Sequence, residues 1–184
     1  MASAAYAGLA TTVVRPDILR EGGDDAYRLL GEIEADEARN RLVEALGRPQ
    51  AEAAVDAIVH ALARQGDPRP LATIAAAGHE AADGLSTNPT YEQTRRIAAA
   101  AFYLLALGDD TRDDGLALLG KLQPADQADT AAWTLQTLCE RAVRRPDAGA
   151  AATAQAAGLA PALAGRGIRW DHLVRGAFTC PARP

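Results

Sequence analysis

Glu52, Asp56 and His60 recur at intervals of four, which on a helix sets two carboxylates and an imidazole in one ladder. Such a ladder can hold a metal ion or tune a proton transfer. It can equally be an ordinary solvated face, because His60 falls opposite the apolar side of its helix, and that reading is expected here. His79-Glu80 opens like a zinc-protease motif, but position 83, where the second histidine belongs, is Asp. His60, His79 and His172 are far apart in sequence and zinc asks for several ligands, so no metal site is expected. Asp109, Asp110, Asp113 and Asp114 surround Thr111-Arg112. The calcium-loop pattern fails there for want of its glycine turn and its last glutamate. The four acids read instead as an N-cap and an acidic first turn that answers the helix dipole.

No nucleophile stands out. Cys139 lies in an apolar stripe and reads as a small buried hydrophobe, and Cys180 sits near the last residue. No glycine-rich phosphate loop follows a strand, and no serine occupies a nucleophile elbow. No catalytic residue, metal ligand or cofactor is assigned. An enzyme is the less expected reading, although helical proteins can assemble sites from distant helices.

The totals say what must position any site. The chain has 184 residues, enough for one domain, and is 48% hydrophobic but only 4% aromatic. Its core must therefore be Ala, Leu, Val and Ile. With 44 alanines, the best helix former, and few β-branched runs, the expected class is all-α. The basic residues are 18 Arg and one Lys, a bias that fits a GC-rich bacterial genome. A net charge of −5 argues against a general nucleic-acid binder. The N-terminal stretch lacks the basic region of a signal peptide and no segment is long enough to span a bilayer. Two cysteines make no disulfide framework, so a reduced, cytoplasmic protein is expected.

The chain is organised around Asn88 to Gly108. Every residue from Ile97 to Leu107 is apolar, and a helix with no polar face belongs inside others. Asn88 is expected as N-cap, Pro89 as the first helical residue and Gly108 as the left-handed stop. Before it, residues 1–23 read as irregular. Two helical patterns follow from Asp24 to Gly47, with a break near Asp36. Pro49–Gln65 shows Ala51, Ala54, Val55, Ile58 and Leu62 on one side. Leu71, Ile74, Ala75, Gly78 and Ala82 line the next helix. Asp109–Leu122 turns Leu116, Leu119 and Leu122 inward. Pro124–Arg145 carries a stripe of Ala128, Ala131, Ala132, Leu135, Leu138, Cys139 and Ala142. Pro146–Ala164 is Ala- and Gly-rich, with a break expected before Pro161, and Ile168–Phe178 is a last short helix.

Leu42-Val-Glu-Ala-Leu-Gly-Arg-Pro, then Ala53–Ala63, then Gly66-Asp67-Pro68-Arg69-Pro70-Leu71 resembles a HEAT-type helical repeat. Tyr103-Leu-Leu-Ala-Leu-Gly-Asp-Asp followed by Leu116-Ala-Leu-Leu resembles the joint of a tetratricopeptide unit. No strict period runs through the chain, as a full array would require. Either resemblance implies helix pairs stacked side by side, as a short α-solenoid or a helical bundle, and a binding role. The expected function is thus a protein-interaction module, an adaptor or regulatory subunit. A small-molecule enzyme or ligand binder is the alternative, with a deep closed pocket between helices collecting Tyr91, Tyr103 or His79 with carboxylates. A homo-oligomeric subunit is a third.

Aromatic residues give the candidate partner surface. Trp133 falls about 140° from the centre of its stripe, taking 100° per residue. It either packs under a second neighbour, the commoner fate of Trp, or stands out for a partner. Trp170, Leu173, Val174, Ala177 and Phe178 form one face of the terminal helix in residues 166–184. That face docks on its own domain or on another chain, with Gly165 and Gly167 as a hinge. Deleting residues 166–184 separates the two. Docking at home requires lower stability in urea with an unchanged oligomeric state. Docking on a partner requires nearly unchanged stability and lost self-association or capture.

Overall fold

The structure, a computed structural model, describes residues 23–48, 52–86, 89–144 and 146–168. They form an all-α protein of eight α-helices and one 3-10 turn, with no strand among them. Two compact units make up the chain, Met1–Pro70 and Leu71–Pro184.

The first unit holds α1 (Gly23–Gly31), α2 (Asp36–Leu46) and α3 (Glu52–Gln65). The break expected near Asp36 is there, as a turn between α1 and α2. It keeps Leu30 and Leu42 both pointing inward across the change of phase. Both α1 and α2 pack on α3, and Leu30, Ala38, Leu42, Ile58 and Leu62 are fully buried. α3 ends where the sequence marks it. Gly66 takes the left-handed conformation (φ 63°), and the Asp67 N–H donates back to the Leu62 carbonyl at 3.1 Å. This is the six-to-one bond of a glycine C-cap. The next link is held by charge. Asp67 is buried and accepts from the Arg69 backbone at 3.1 Å and from its guanidinium, which also donates to Asn40 on α2 at 2.6 Å.

The second unit is built round α5 (Tyr91–Leu107), about 26 Å long at the usual rise. Against it pack α4 (Leu71–Asp83), α6 (Arg112–Leu119, after a 3-10 turn at Asp109–Thr111) and α7 (Pro124–Arg144). α8 (Pro146–Ala164) packs on α7. Every residue of α5 from Ala100 to Ala106 is buried, as expected of a run with no polar side. The ends differ from expectation. Thr90 is the N-cap, in a full capping box with Gln93, so Pro89 lies before the helix; Asn88 is outside the described residues. Gly108 is extended (φ 173°) rather than left-handed, and the chain passes straight into the 3-10 turn.

Small residues let these helices approach. A Cβ on Gly78 of α4 would lie 2.3 Å from Ala100 Cβ, and one on Gly115 of α6 would lie 2.8 Å from Leu105 Cγ. Pro161 does not break α8, which runs through it to Ala164. Pro161 and the residue whose carbonyl it frees, Ala157, are both exposed, so water can satisfy that carbonyl. Gly167 (φ 78°) then serves as the cap of α8, with the Ile168 N–H donating to Leu163 at 2.9 Å.

Leu104→Ala is expected to cost about 2–5 kcal/mol through lost burial and a cavity. Gly78→Ala is expected to cost about 1–3 kcal/mol through overpacking, because the opposing atom is a helix-borne Cβ that cannot swing aside. Urea melts measure both. A change under about 0.5 kcal/mol in either would remove α5 from the centre of the core.

Candidate functional site

The buried side of α7 is wider than its apolar residues. Ala131, Leu135, Leu138 and Cys139 are buried, and so are Thr130, Thr134 and Thr137. The Thr130 hydroxyl donates to Asp126 O at 2.7 Å and the Thr134 hydroxyl to Thr130 O at 2.8 Å. By bonding to their own helix they need no partner elsewhere, so a threonine stripe can be buried at little cost. One part of this side faces α5 and another faces α8.

The opposite side of α7 meets solvent. Trp133 is 52% exposed and Val143 64% exposed. Asp129 and Arg144 are exposed on the same flank, and Gln136 donates to Glu140 at 3.0 Å between the two apolar residues. The commoner fate expected of Trp133, burial under a second neighbour, is not what the fold provides. Among the described residues, the helices that cover α7 are α5 and α8, and its buried side is the one with the threonines and leucines. Trp170, Leu173, Val174 and Phe178, the other candidate partner residues, lie outside the described residues.

Of the pocket residues considered for the enzyme reading, His79 has a carboxylate beside it, that of Asp114. Tyr103 is fully buried in the middle of α5, whereas Tyr91, at its first turn, is 76% exposed, with the Arg95 guanidinium 5.4 Å from its ring centre. His79 Nε2 lies 2.9 Å from Asp114 Oδ1, joining α4 to α6 with both side chains about half exposed. Sequence spacing could not have paired these two, since they are on different helices. Asp109, of the same acidic cluster as Asp114, pairs with Arg112 at 2.6 Å.

His60 departs from the solvated ladder. α1 and α2 both pack on α3, so burial desolvates its imidazole, and Arg64 and Arg28 oppose another positive charge nearby. Its pKa is lowered from 6.5 to about 4. For Asp67, burial disfavours the charge, but bonds from the Arg69 side chain and backbone, with the charges of Arg69 and Arg39, outweigh it and hold the carboxyl below its ordinary value. Among the described residues no three His, Cys, Asp or Glu side chains are grouped so as to hold a metal ion. Nor is any helix among them long and apolar enough to cross a membrane. Cys139 is disulfide-bonded, whereas the sequence suggested a simple buried thiol in a reduced protein. Its spacing placed it correctly in the core and could not show the bond.

Compared with protein families, curated proteins and solved structures, the chain matches none.

Acid should weaken the fold in two stages. Unfolded, His60 takes a proton near pH 6.5, while folded it stays neutral down to about 4. Between those values the unfolded state binds more protons, so stability falls with pH, by at most about 3 kcal/mol. Asp67 stabilises above 3.8 and loses that contribution as pH falls through its lower folded value. Urea midpoints should therefore drop between pH 6.5 and 4.5, and His60→Gln should flatten that drop. A wild-type profile already flat over this range would mean that His60 is solvated.

Proposed function

We propose that the protein is an interaction module, an adaptor or regulatory subunit, that binds a protein chain through the solvent-facing side of α7. The observation that carries the reading is the half-exposed Trp133. Large aromatic side chains are enriched where binding energy concentrates, and this one shares its side of a long helix with Val143. The rigid mounting supports the same reading. α7 is fixed along its other side by α5 and α8, so presenting the aromatic costs little additional ordering. The HEAT-like and tetratricopeptide-like patterns belong to the same functional class. Net charge supports a protein rather than a nucleic-acid partner. Self-association through α7 is the variant of this reading in which the partner is a second copy.

A cytoplasmic location goes with this proposal on the acidic composition of the sequence. The disulfide at Cys139 weighs on the other side, because such bonds persist mainly in oxidising compartments. Alkylation of protein drawn from its native cells, followed by mass measurement, decides between them. Free thiols support the cytoplasm, and a fully blocked pair of cysteines removes it.

Trp133→Ala tests the surface. The variant should keep its urea stability within about 0.5 kcal/mol, the range of surface changes. Affinity capture from native extract should lose the partner that wild type retains, or light scattering should show lost self-association. A loss of several kcal/mol in stability would make Trp133 part of the protein's own packing and remove the proposal. So would capture and oligomeric state both unaffected by the change.

A further inference from the structure

No further inference is drawn: the strongest candidate, the disulfide-bonded Cys139 in the buried stripe of α7, rests on a bonding partner outside the described residues.

Discussion

A helix that ends inside a protein carries carbonyl groups that its own backbone cannot satisfy, and α5 ends that way. Three side chains meet the need. Thr111 donates to Leu104 O at 2.7 Å, Gln155 to Leu105 O at 2.8 Å and Arg141 to Ala106 O at 2.9 Å. They come from the turn after α5, from α8 and from α7, so the last turn of the central helix is where most of the second unit meets. Arg141 also places a positive charge at the negative end of the helix dipole. Without these donors the apolar run that makes α5 a core helix would end in unpaired carbonyls, each a penalty of about 1–3 kcal/mol when buried.

The first unit solves the same problem in miniature. α1 is short, and its last carbonyls turn inward against α3. Gln65, buried at the end of α3, donates its amide to Leu30 O at 2.9 Å and to Ile33 O at 3.0 Å. One side chain thus closes α1 and holds the turn that leads into α2. The Asp67–Arg69–Asn40 chain fixes the opposite side of that helix end to α2. Each unit has an apolar interior of small aliphatic residues, and each depends on a few long polar side chains placed where a helix stops.

Much of this was legible in sequence, and what was not has a common cause. Apolar spacing located every helix among the described residues, including the break near Asp36 and the stop at Gly66, because period and punctuation are local properties. It misjudged polar residues. Arg141 carries no apolar signal, yet it serves the end of α5. Gln65 entered only as the last residue of its helix, yet it is buried. The threonines of α7 stood outside its apolar stripe, yet they extend its buried side. His60 looked solvated, yet it is half-buried and partly desolvated. Each of these side chains is long enough, or bonds locally enough, that its surroundings are decided by a neighbouring helix. Trp133 failed in the reverse direction. Its size favoured burial, and only the placement of α5 and α8 on one side of α7 leaves it facing water. The His79–Asp114 pair was likewise invisible, since neither residue is near the other in sequence.

Alanine-rich helices present low, uniform ridges, and such surfaces can slide past one another by a turn with little loss of apolar contact. The polar contacts at the end of α5 remove that freedom. A shift of α7 or α8 by one turn, about 5.4 Å, would carry Arg141 or Gln155 past the carbonyl it serves. The chain can therefore place alanine at many interior positions beside its leucines and still settle into a single alignment. The polar side chains at the end of α5 thus act as locating pins, which the aliphatic packing alone does not supply.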